Sequence, residues 1–176
     1  MFDPTAFENL KVVIEGAVYD RDLGGEILVT DREDIMNLAK LGRTFEISFI
    51  DQNSKGDKVT AILLLEAKIE NLAAELLPQA LSEKHAGCHI TVKFNCIHPN
   101  DLSFYKKIDG ILKDIWGNSR KIDQRILLNP FDIKNDITNE ITIHFNRLIY
   151  EDQSADIISM VDFMITSIRE LKKLFQ

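Results

Sequence analysis

The stretch KVTAILLLEAKIENLAAELLP, residues 58–78, decides the architecture because its apolar period changes midway. In its first half Val59, Ala61, Leu63, Leu65 and Ala67 alternate with a second set that contains Ile62 and Leu64. A strand here is apolar on both faces, the pattern of a strand covered on two sides. From Ile69 the apolar positions become Ile69, Leu72, Ala73, Leu76 and Leu77, a helical stripe that Pro78 ends. A buried strand running into a core-facing helix forms the middle of the fold.

Toward the C-terminus the pattern stays clear. From Gly87, the residues Cys88, Ile90, Val92, Phe94 and Cys96 share one side of a strand, and His89, Thr91, Lys93 and Asn95 share the other. Asn100 or Asp101 caps a helix carrying Leu102, Tyr105, Ile108, Leu112, Ile115 and Trp116, closed by Gly117. Strands at 121–128 and 140–149 follow, joined by a long polar loop over 129–139. Ser154 caps the last helix, in which Ile157, Val161, Met164, Ile168, Leu171 and Phe175 recur at alternating spacings of four and three. Ile158, Met160, Phe163, Ile165 and Leu174 widen that seam into a broad apolar arc.

Toward the N-terminus, Asp3-Pro4 reads as a cap and first helical position for about two turns of helix. Alternation of Val12, Ile14 and Val18 with Val13, Ala17 and Tyr19 then predicts a strand over 10–20, with a turn at 22–25 and a return strand at 26–29. Thr30 and Glu33 have capping-box spacing, and Ile35, Leu38 and Leu41 supply a helical stripe up to Gly42. Phe45, Ile47 and Phe49 mark the next strand, with a turn at 51–57 before the opening stretch. The boundary within 79–86 is left open between helix and loop.

The expectation is an α+β fold in the order ββα-ββα-βαββα, with a mixed, mainly antiparallel sheet and helices mostly on one face. Residues 87–176 have a ferredoxin-like order lacking a final strand, which sets the strands at 87 and 140 side by side. A right-handed crossover through the helix at Ile69 sets the strands at 58 and 87 parallel. One domain over 1–176 is expected, with 1–80 and 86–176 as sub-units.

At 176 residues and 45% hydrophobic content, the chain is long enough to bury a proper core. The net charge of −7, spread along the chain, disfavours nucleic acid and anionic membranes as partners. No basic-then-apolar leader opens the chain, and no apolar run approaches the ~20 residues of a spanning helix, so the expected location is cytoplasmic. Two cysteines do not make a disulfide scaffold.

His85, Cys88, His89, Cys96 and His98 concentrate metal-ligand types in one segment. A straight strand, however, separates the two thiols by about 26 Å, so no metal site is expected and the cysteines read as buried core. Cys96 and His98 stand before a helix N-terminus, with Asp101 nearby, the arrangement of a reactive thiol with its base. The side Cys96 shares with Val92 and Phe94 argues for an inert one. The phosphate-loop, dinucleotide, zincin and nucleophile-elbow motifs are absent, so neither a cofactor nor a catalytic residue is expected.

Two surfaces remain. His89, Lys93 and Asn95 lie beside His144 and Asn146 if their strands are neighbours, a polar sheet face suited to a small-molecule ligand or to plain solvent. RNA-binding domains of this element order stack bases on aromatic residues there, and these positions hold none. The arc of the last helix exceeds what one sheet face needs, which points Met160, Phe163 and Leu174 toward a second chain. Self-association, or association with another protein, is the expected mode of action, with ligand binding on the polar face as the alternative.

Overall fold

In the structure, a computed structural model that describes residues 6–53, 58–77, 83–131 and 136–175, the deciding stretch forms β3 (Val59–Ala67) and α2 (Ile69–Leu76). Buried Asn71 ties this corner together. Its Oδ1 accepts from the Lys68 N–H at 2.9 Å, and its Nδ2 donates to the His85 carbonyl at 3.0 Å. Val59, Ala61, Leu63, Leu65 and Ala67 are fully buried, whereas Thr60, Ile62, Leu64 and Glu66 are half-buried. Among the described residues, then, helices cover this strand on one side only.

The other elements are α1 (Ala6–Leu23), β1 (Ile27–Asn37), β2 (Gly42–Asp51), β4 (Cys88–Pro99), α3 (Leu102–Trp116), β5 (Lys121–Leu127), β6 (Asp136–Ile149) and α4 (Ser154–Leu174). The α+β class holds, with one six-stranded sheet in the order β1-β2-β3-β4-β6-β5. All five pairings are antiparallel. The neighbours β4 and β6 match expectation, and the parallel β3–β4 pair does not. β4 instead returns antiparallel beside β3, with Val59 opposite Cys96 and Glu66 opposite His89.

The expected order also fails at the N-terminus, twice. Residues 10–20 are helical: Phe7, Leu10, Ile14, Ala17 and Val18 form the buried stripe of α1, and Val12 faces solvent. β-branched residues cost a helix only a few tenths of a kcal/mol each, less than burial of that stripe returns. Residues 30–37, read as a helix, are the body of β1, with a bulge at Thr30 between the pairs Val29–Phe49 and Asp31–Ser48. The supposed helical stripe of Ile35, Leu38 and Leu41 is exposed, at and beside a hairpin turn. There the Asn37 Oδ1 accepts from the Ala39 and Lys40 amides, and Leu41 takes a positive φ of 51° before Gly42.

Ion pairs dock the far half of β1 on α1. Arg32 binds Glu15, and Asp34 receives Lys11 at 2.7 Å and Arg43 at 3.0 Å, with Arg43 also bound to Glu8. Burial alone would raise the Asp34 carboxyl, but the hydrogen bonds from Arg43 and Lys11 outweigh it and hold it below its ordinary value. Folding therefore favours the ionised form. That contribution is full above the unfolded carboxylate value of about 4 and is lost as pH falls through the lower folded value. Asp34→Asn is expected to cost about 1 kcal/mol at neutral pH, the scale of a partly solvent-screened network, and to flatten the acid limb of the stability profile. Equal acid limbs for variant and parent in urea titrations would count against this assignment.

The core lies between the sheet and α1, α3 and α4, which all pack on one face; α4 sits between the other two and over β2 and β3. Trp116 on α3 donates its indole N–H to the Ser167 Oγ on α4 at 2.9 Å, a buried polar pair within this layer. Most of the wide arc of α4 packs against its own chain, and Ile158 and Phe163 remain exposed. The cap expected at Asp3-Pro4, the stop at Pro78, residues 54–57 of the turn, residues 79–82, and residues 132–135 of the long loop lie outside the described residues. No helix among the described residues is long and apolar enough to cross a membrane.

Candidate functional site

No described element packs on the second face of the sheet, and its composition follows from strand register. One row across it runs Asp31, Ser48, Ile62, Lys93, Thr142, Asp123, and the next runs Glu33, Glu46, Leu64, Thr91, His144, Lys121. Further rows bring Glu66 beside His89, and Asn95 beside Glu140 and Arg125. Ile62 and Leu64 stand near the middle of this face. Neither belongs to the buried cluster on the helix side.

The face is electrically divided. On β1–β3 it holds Asp31, Glu33, Glu46 and Glu66 with no lysine or arginine among the paired residues. On β4, β6 and β5 it holds Lys93, Lys121 and Arg125 in balance with Asp123, Asp136 and Glu140, with His89 and His144 among them. Burial and the carboxylates of Glu33, Asp31 and Glu140 push the Glu46 carboxyl above its ordinary value, against the pull of Lys93. Across the sheet, hydrogen bonds from Lys121 and His144 hold Asp123 below its own. Unfavourable negative potential gathers on one half, and it is relieved on the other.

At one end of this face the β4–β6 ladder is interrupted. The register shifts between His89 and Thr91, and Asn146 adopts a left-handed φ of 52°, a conformation that asparagine tolerates better than most residues. An open groove of about 730 Å³ lies here, lined in part by Glu70, His85, His89, His144, Asn146 and Arg147. Three of the chain's four histidines thus meet in one depression. Arg147 is paired with Asp156 at 3.1 Å and His144 with Asp123 at 2.9 Å.

Of the residues singled out by sequence, His89, His144 and Asn146 line the groove together. Lys93 lies farther along the face, 4.0 Å from Glu140, and Asn95 lies beyond it with its Oδ1 buried and unpartnered among the described residues. The carboxylates of β1 fall in a segment expected to be helical, which hid their place beside Glu46 and Ser48 on this face.

Cys96 and His98 both point into the core, where burial pushes the Cys96 thiol up to about 12. The His98 ring instead meets the Pro99 carbonyl through Nδ1 at 2.8 Å and the Asn139 Nδ2 through Nε2 at 3.1 Å. With Nε2 accepting, the ring proton sits on Nδ1. Asp101 accepts from the Ser103 amide at 2.7 Å as the cap of α3. Cys88 is likewise pushed up to about 12, by burial and then by the charge of Glu75.

On α4, Met160 is buried in the core and Leu174 is half-buried against it; Phe163 is partly exposed, edge-on to Trp116. Among the described residues no group of three or more histidine, cysteine, aspartate or glutamate side chains is placed to hold a metal ion. Comparison with known proteins finds no matching family, no matching curated protein and no matching solved structure.

Proposed function

We propose that this protein acts through association with a second copy of itself, and that the open sheet face is the surface it uses. One observation carries the reading: α1, α3 and α4 all pack on one face, leaving half-buried Ile62 and Leu64 at the middle of a six-stranded face with no described cover. Antiparallel sheets do leave solvated faces, commonly with polar side chains, and an apolar centre with a polar surround is the anatomy of an interface. The partly exposed Phe163 of α4 offers a smaller apolar surface, because Met160 beside it is already committed to the core. The reading makes the protein a cytoplasmic one without catalytic activity of its own. Its net charge of −7 supports protein partners over nucleic acid or anionic membrane.

Light scattering at about 10–50 µM, concentrations at which a micromolar dimer is populated, is expected to give twice the chain mass. Leu64→Lys, which places a charge at the apolar centre, is expected to weaken the dimer by about 30-fold or more, while its thermal unfolding curve matches the parent's at concentrations low enough for both to be monomers. A clean monomer for the parent protein at those concentrations removes the reading.

The groove supports a second reading, a small-molecule binder that uses His89, His144 and Asn146. The interrupted ladder and the left-handed Asn146 favour it, since bulges of this kind re-aim side chains beside binding sites. Intact cellular function in a His89→Ala, His144→Ala double variant would remove it.

A further inference from the structure

We infer that the second copy docks face to face with its two-fold axis parallel to the strands, so that the acidic half of each sheet covers the charge-balanced half of the other, which carries the lysines, the arginine and two histidines. The inference rests on the reading above and specifies its geometry. A two-fold interface sets one patch against itself, and for two facing sheets the axis lies in the plane between them. An axis running across the strands would return β1–β3 onto β1–β3, stacking Asp31, Glu33, Glu46 and Glu66 on their own copies. An axis along the strands exchanges the halves. In the order β1-β2-β3-β4-β6-β5, β3 then lies over the partner's β4, β2 over its β6 and β1 over its β5.

Register names the contacts. Glu33, Glu46, Leu64, Thr91, His144 and Lys121 form one row, so Glu33 meets the partner's Lys121, Glu46 meets the partner's His144, and Leu64 meets the partner's Thr91. In the neighbouring row Glu66 meets the partner's His89. Each carboxylate of these rows thereby faces a nitrogen base, and the apolar residues of β3 lie next to the axis, farthest from water. Asp31 falls opposite the partner's Asp123, which its own Lys121 and His144 already hold. The twist of stacked sheets sets them about 30° apart, which keeps this match best near the centre.

The area suffices. Six strands at about 4.8 Å spacing and about seven residues at about 3.3 Å give roughly 670 Å² in projection before side-chain relief, close to the ~800 Å² per partner of a standard interface.

Cross-linking reads the axis directly. Glu46→Cys and His144→Cys are made as separate variants and treated with a bismaleimide of about 10 Å reach, the spacing of stacked sheets, alone and as an equimolar mixture. Native Cys88 and Cys96 are buried and do not compete. The expected result is covalent dimer in the mixture, up to about half of the chain, and none in either variant alone, because like positions lie on opposite sides of the axis. Covalent dimer in the Glu46→Cys sample alone places the axis across the strands; it overturns this inference and leaves self-association through the open face standing. A dimer by light scattering with no cross-link in any sample overturns both the inference and the choice of face. A monomer by light scattering overturns self-association itself, and the inference with it.

Discussion

Truncating Phe94 to alanine is expected to cost about 3–5 kcal/mol, read as a fall in the urea midpoint at constant slope. Phe94 is fully buried in the middle of β4, on the helix side of the sheet. Its cross-strand neighbours there are Ala61 on β3 and Ile141 on β6. The small Ala61 has no atoms with which to fill the vacated volume, and the paired backbones on either side hold β4 in place, so most of the cavity persists. Since whole domains are stable by only about 5–15 kcal/mol, this one change spends a large fraction of the total. Phe94→Leu, which keeps most of the volume, is expected to cost far less. Similar midpoints for the two variants would mean that the helix layer collapses onto the strand, contrary to the rigid packing assigned to it.

Asn139→Ala is expected to cost about 2–4 kcal/mol, for a different reason. Asn139 is fully buried on β6, and its Nδ2 lies 3.1 Å from the His98 Nε2 and 2.8 Å from the Gln124 Oε1. The imidazole is 2% exposed and enclosed by aromatic rings, stacked with Phe104 at 5.4 Å and Phe175 at 5.5 Å, with Tyr105 edge-on. Removing the amide leaves a buried ring nitrogen with no donor and no route to water, which costs more than the net value of the hydrogen bond that is lost. A double variant, His98→Phe with Asn139→Leu, removes both polar groups and keeps the stack, so it is expected to be more stable than Asn139→Ala alone. A double variant that is the less stable of the two would show that the ring packing, and not the polar pair, sets the cost.

The same segment shows how far sequence reasoning reached. Residues 88–98 alternate so regularly that the strand and its buried side are legible without coordinates, and the structure places Cys88, Ile90, Val92, Phe94 and Cys96 on that side. His98 continues the alternation into the core, yet its role depends on Phe104 and Tyr105 of α3, Asn139 of β6 and Phe175 after α4. Those residues meet only through the tertiary fold. The open face divides similarly. His89, Thr91, Lys93 and Asn95 were legible as one polar side, and the neighbouring strand with Thr142 and His144 followed from element order. The acidic half was hidden because β1 carries no apolar alternation of its own. Its strand form comes from pairing with β2 and from ion pairs to α1, contacts between residues distant in sequence.

Sequence by itself determined β4, α3, α4 and the buried side of β3, because each carries an apolar period matched to its own geometry; it placed α2 but not its buried face, since Ile69, Leu76 and Leu77 are exposed and Asn71 and Ala74 are buried. It also determined an acidic chain of net charge −7. Tertiary structure alone decided that residues 10–20 are helical, that residues 30–37 are extended, that β3 and β4 run antiparallel, and that no described element covers one face of β3. In each of these cases local preference is worth a few tenths of a kcal/mol per residue, and the burial or pairing of the whole element outweighs it.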